Sequence, residues 1–165
     1  MSARAAWRLE SMGFKNIYRY EGGKEDWRAE GLPTEGRQAG TLKAAAFTRK
    51  DLPTCELTDS VNAAKQRMEG SGHEFCVVVN PQSVVIGRVR KKALEEARDG
   101  NIEDVMEEGP TTIRPGEDLI GITNRMQDAR AGNVLVTTSD GVLLGALYRE
   151  DAEEAIHASH AGVRV

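Results

Sequence analysis

Apolar positions along this chain recur in a pattern that is written twice. Val61, Ala64 and Met68 are spaced as i, i+3 and i+7, and Leu119, Ile122 and Met126 repeat that spacing 58 residues later. This period puts each set of three side chains on one face of a helix. The same offset relates Cys76-Val77-Val78 to Val134-Leu135-Val136, and Val84-Val85-Ile86-Gly87 to Val142-Leu143-Leu144-Gly145. Upstream, Pro53-Thr54 aligns with Pro110-Thr111 at 57, which reads as a one-residue adjustment in a loop. Pattern class kept in register over roughly 45 positions marks a duplication.

Each copy predicts the same elements. A short extended piece (54–57, then 111–114) precedes the helix. Asp59 or Ser60 can cap the first helix, because a short side-chain oxygen satisfies free N–H groups there. Pro115-Gly116 breaks the chain before the second helix. Two apolar strands follow, joined by Asn80-Pro81-Gln82-Ser83 in one copy and Ser139-Asp140-Gly141 in the other, residues that tolerate hairpin geometry. A closing helix is expected at 91–98 and at 149–158. The order β-α-β-β-α, twice, is an α/β (α+β) fold. One unit of about 50 residues cannot bury both faces of its sheet. Two can, by packing sheet against sheet across a pseudo-two-fold axis, which leaves clefts between the copies where ligands bind.

Composition narrows the class. Hydrophobic residues make up 39% and aromatic ones only 5%, so the core is aliphatic. A net charge of −4 gives no general attraction to nucleic acid or an anionic membrane. No apolar run approaches the ~20 residues that cross a bilayer, and the N-terminus lacks a secretory signal. A cytoplasmic location is expected. Cys55 and Cys76 are expected to be buried thiols. His73, His157 and His160 do not have metal-ligand spacing.

The repeat, the linker Ile102-Glu103-Asp104-Val105-Met106 before Pro110-Thr111-Thr112-Ile113, and a Gly-h-h-x-x-x-Asp run after the last strand (h, hydrophobic) together resemble the CBS-domain family. The resemblance covers 51–157 and divides the chain into unit 1 (51–106) and unit 2 (107–158), with a tail at 159–165. It implies a disc-forming tandem pair that dimerises and binds adenosyl nucleotides: AMP, ADP, ATP or S-adenosylmethionine. In the family this run carries a hydroxyl for phosphate and a carboxylate for the ribose diol. A carboxylate suits a cis-diol, and a helix N-terminus favours an anion.

The second copy reads Gly145-Ala146-Leu147-Tyr148-Arg149-Glu150-Asp151, which places Asp151 at the ribose position and Tyr148 where the hydroxyl is expected. Arg149 stands ready for a phosphate. The first copy has Ala93 in the carboxylate's place, so the ribose role falls on Asp151. Thr54 and Thr111, ahead of the first strands, are further candidates for lining a cleft. Asp151 could equally be a plain helix-terminal carboxylate, and Tyr148 a half-buried strand residue. Arg88, Arg90, Lys91 and Lys92 read either as a solvated edge that discourages strand pairing or as a site for polyphosphate or an acidic partner.

Residues 2–36 have a different character. Ser2 to Met12 is a helix with Gly13 just past its end, Asn16 to Tyr20 reads as a strand, and 22–33 as a short helix and exit. This α-β-α extension, with its Gly-Gly-x-x-x-Trp-x-x-x-Gly-Leu-Pro end, resembles the closing portion of a rhodanese-like domain. In that family the nucleophilic cysteine precedes this helix, and no such residue stands here, so the chain is read as not an enzyme. Residues 1–36 are this partial domain and 37–50 a connector. Trp7, Ile17, Tyr18 and Trp27 are expected to pack on the paired module or on a second copy.

The sequence therefore points to a sensor that binds a nucleotide or similar metabolite near Asp151, Tyr148, Arg149, Gly145, Thr111, Thr54 and Arg90, as a homodimer. Two alternatives stand beside it: a ligand-free structural or protein-interaction module, and the non-catalytic tail of a rhodanese-type sulfurtransferase.

Overall fold

The computed structural model describes residues 3–18, 23, 27, 32 and 41–161. Helix α1 spans Ala3–Ser11. Its end follows from Gly13 at φ +92, a backbone region open to glycine, which lets the Gly13 and Phe14 N–H groups bond back to Glu10 and Leu9 carbonyls. After a 3-10 turn (Ala44–Phe47) come β1 (Thr48–Arg49), β2 (Thr54–Cys55), α2 (Val61–Met68), β3 (Phe75–Val79), β4 (Val85–Arg90) and α3 (Lys91–Glu96). A second 3-10 turn (Ile102–Asp104) leads to β5 (Glu107–Glu108), β6 (Thr112–Ile113), α4 (Leu119–Asp128), β7 (Asn133–Thr137), β8 (Leu143–Tyr148) and α5 (Arg149–Ala161). The duplicated β-α-β-β-α order is present.

Two four-stranded sheets result, ordered β2-β3-β4-β5 and β1-β8-β7-β6. Each is completed by an edge strand from the other half. β1 lies antiparallel to β8 with Arg49 opposite Ala146, and β5 lies against β4 with Glu107 opposite Arg88. The 3-10 turns are exchanged with the strands. Ala44, fully buried, joins the unit 2 core beside Leu119 and Ile122, while Ile102, also fully buried, joins the unit 1 core beside Val61 and Leu94. Residues 41–50, expected to be a connector, are therefore part of the second sheet and core. Their backbone is committed there, since Ala44 donates to Glu117, Ala45 donates to Pro115, and Leu42 accepts from Leu119.

The offset between halves is 58 throughout, not 57 at the first strand. Thr54 pairs with Val77 and Thr112 with Leu135, so Thr54 corresponds to Thr112, and Pro53 to Thr111. The units meet on the faces of their sheets through Phe75, Val77, Leu135 and Ala146. Reciprocal hydrogen bonds run between the hairpins, Val85 N–H to Gly141 and Leu143 N–H to Ser83. Both hairpins need a left-handed residue, Ser83 at φ +60 and Gly141 at φ +82.

Local chemistry explains the helix starts. Ser60 caps α2 by accepting from Ala63 N–H (3.2 Å), and Asp118 caps α4 by accepting from Gly121 N–H (3.0 Å). Asp59 is used differently, accepting from Glu56 N–H and pairing with Arg67. Cys55 and Cys76 are free and buried in the unit 1 core, as expected. Helix α5 continues to Ala161, past the expected end at 158.

The N-terminal expectation changes. Trp7 and Tyr18 are 66% and 85% exposed and do not pack on the paired module, whereas Ile17 and Trp27 are half-buried. Residues 16–18 form no strand, and 19–20 lie outside the described residues, as does most of 22–33. A lone strand has no ladder to satisfy its backbone, so an extended reading at 16–18 had nothing to hold it. Among the described residues no helix is long and apolar enough to cross a membrane.

Candidate binding clefts

The pseudo-two-fold axis relates two clefts between the units, and they differ. One is open, about 490 Å³ in volume. Unit 1 contributes Glu74, Phe75, Arg88 and Arg90 from the start of β3 and the end of β4. Unit 2 contributes Thr111 just before β6, Thr112 and Ile113 on it, and Ile122, Arg125 and Met126 from α4. The turn from α4 into β7 supplies Arg130, whose backbone is left-handed at φ +52. A mixed lining results, with four arginines, two threonine hydroxyls and the Glu74 carboxylate among apolar side chains. Glu107 holds two of the arginines, Arg88 Nε at 3.0 Å and Arg90 Nε at 2.8 Å. Burial alone would raise the Glu107 carboxyl, but hydrogen bonds and charge from Arg88, and then Arg90, hold it below its ordinary value. Arg125 pairs with Glu117, and Arg130 makes no ion pair among the described residues.

The other cleft is largely taken up by side chains. Tyr148 reaches from β8 to unit 1, where its hydroxyl shares a 2.7 Å hydrogen bond with His73 Nδ1. Its ring lies 6.4 Å from that of Phe75 and 6.1 Å from that of His73. Arg49 covers the Tyr148 ring at 4.2 Å from its centroid. Burial raises the Tyr148 hydroxyl above its ordinary value. Arg49 in turn makes a two-pronged contact with Asp151, Nε at 2.7 Å and Nη2 at 2.6 Å, and reaches Glu150 at 3.1 Å. Asp151's hydrogen bonds lead the causes that hold the Arg49 guanidinium above its ordinary value.

The residues singled out in the sequence thus separate. Arg90 and Thr111 line the open cleft. Asp151 and Tyr148 lie on the filled side, in contacts within the protein. Arg149, the first residue of α5, pairs weakly with Glu153 (3.6 Å) and borders a smaller depression of about 280 Å³ with Tyr148. Thr54 is exposed on β2 and lines neither. Gly145 has a backbone role: a Cβ there would collide with the Arg49 carbonyl oxygen, so only glycine admits β1. Missed from sequence were Thr112, Arg125 and Arg130. The 58-residue offset with Thr54 aligned to Thr112, rather than Thr111, would have shown the first.

Residues 102–158 match the family model for the CBS domain. No curated protein matches the chain. Solved structures share its fold. The CBS domains of a transcriptional regulator from Streptococcus pneumoniae are 21% identical with TM-score 0.62, covering 68% of this chain and 98% of that one. A CBS-pair protein, CBSX2 from Arabidopsis thaliana, in complex with AMP, is 17% identical with TM-score 0.64, covering 72% and 98%. The soluble part of a magnesium transporter is 20% identical with TM-score 0.62, covering 71% of this chain, which spans about half (48%) of that one. At these identities the likeness establishes the fold, that of a CBS-domain pair.

Proposed function

We propose that this CBS-pair fold serves as a regulatory module and takes an adenosyl nucleotide or related anionic metabolite into its open cleft. The observation that carries the reading is the cleft itself, where four arginines and two threonines stand among apolar side chains such as Phe75, Ile113 and Ile122. Arginine forks match phosphate geometry, and the apolar lining receives the flat face of a base. AMP in the Arabidopsis neighbour supports the ligand class. Because Arg88 and Arg90 come from unit 1 and Thr111 and Arg130 from unit 2, a ligand touching both favours one packing of the units, the differential contact a sensor needs.

Thermal unfolding with millimolar AMP, ADP, ATP and S-adenosylmethionine tests this on wild type, Arg90→Ala and Asp151→Ala. A ligand at a hundred times its Kd stabilises the protein by about 2.7 kcal/mol. The expected outcome is a shift with at least one ligand, lost in Arg90→Ala and kept in Asp151→Ala. No shift with any of them would favour a protein-interaction module, for which the exposed Trp7, Phe14 and Tyr18 offer a surface to a second copy. Residues 2–36 we read as the closing portion of a rhodanese-like domain without sulfur transfer. Cys55 and Cys76, 2% and 0% exposed, are out of reach of substrate, and a thiosulfate–cyanide assay is expected to give no activity.

A further inference from the structure

We propose that Tyr148 is a built-in occupant of the second cleft and limits the chain to one nucleotide. The inference rests on the open cleft being a ligand site. Applied to the open cleft, the 58-residue offset maps Arg90 onto Tyr148 and Ala131 onto His73. Where the first cleft has a methyl group and an arginine turned aside to Glu107, the second has an imidazole and a phenol bonded to each other. His73 is 7% exposed and Phe75 3%, so Tyr148, itself half-buried, is seated against buried partners. Its outer face is covered by Arg49, which Asp151 holds from the start of α5.

Three contacts of different kinds therefore fix one ring: a hydrogen bond, aromatic packing and a stacked guanidinium. The ring takes the space a base or sugar would need. Its removal opens space beside the Arg49–Asp151 pair, where a phosphate competes with Asp151 for the guanidinium as it does with Glu107 for Arg90 in the first cleft. Tyr148 thus sets the number of ligands, and the difference between the clefts lies in side chains at positions the duplication made equivalent.

Isothermal titration with ATP on wild type, Tyr148→Phe and Tyr148→Ala tests this, with circular dichroism to check folding. The expected stoichiometries are one, one and two per chain. Two in wild type, or one in both wild type and Tyr148→Ala, would overturn the inference. None in wild type but one in Tyr148→Ala would uphold the occupant and refute the open-cleft reading. None in either would overturn both. Should Tyr148→Ala not fold, the ring resonances of Tyr148 and His73 in wild type decide. They are expected to stay in place as ATP saturates the open cleft, and displacement of both would contradict the inference.

Discussion

Arg49 and Glu107 occupy equivalent positions in the two halves and carry opposite charges. On the second sheet Arg49 is neutralised by Asp151 and Glu150 from α5, while on the first Glu107 lies between Arg88 and Arg90. One cleft is consequently left cationic, and on the proposed reading Glu107 competes with a ligand for Arg88 and Arg90. Glu107→Gln removes that competitor, and ATP affinity measured by titration should rise about fivefold, the equivalent of ~1 kcal/mol for a partly exposed pair. An unchanged or weaker affinity would show that Glu107 does not compete. Asp59 provides a pH signature. Its carboxyl is held below the ordinary value by the Arg67 hydrogen bond and then by Glu56 N–H. A lowered folded value means stabilisation that is present above the unfolded carboxylate value and lost as pH falls through the lowered one. Asp59→Asn should therefore cost about 1 kcal/mol at neutral pH, since the pair is partly solvated, and flatten the acid limb of the stability profile. An unaltered acid limb would contradict this.

The elements least visible in the sequence are the ones that join the halves. β1 and β5 are two residues each, too short for alternation to show, and the turns before them begin with Ala44 in one half and Ile102 in the other. Small and large residues at equivalent places hide a repeat when matched by pattern class, which is why 37–50 read as a connector. The longer helices and hairpins were legible because their apolar faces meet a core of their own. Gly145 is the point where the exchange is tightest, at φ +147 with β1 against its α-carbon. Gly145→Ala should displace β1 and destabilise the protein by more than about 2 kcal/mol, measured by chemical unfolding. Wild-type stability in this variant would mean that β1 is not held as described.

At the scale of the whole molecule, the duplication gives two clefts and later divergence at a few side chains leaves one of them open. The sequence led to Asp151 because a carboxylate at a helix start has a ribose-binding precedent, but nothing in the chain's order shows that Arg49, 102 residues away, reaches it first. Arg90 and Thr111 were legible as charge and hydroxyl beside a cleft. Arg125 and Arg130 were not, because their relation to the first unit appears only when the sheets pack. The central claim, that ligand enters the cleft between Arg90 and Thr111, is tested most directly by methyl-resolved NMR during titration with AMP and ATP. The account predicts saturable shifts of Ile113, Ile122 and Met126, which line that cleft, while Met68, the counterpart of Met126 in the unit 1 core, stays fixed. Shifts at Met68 with Ile113 and Ile122 unmoved would place the ligand on the other side and contradict it.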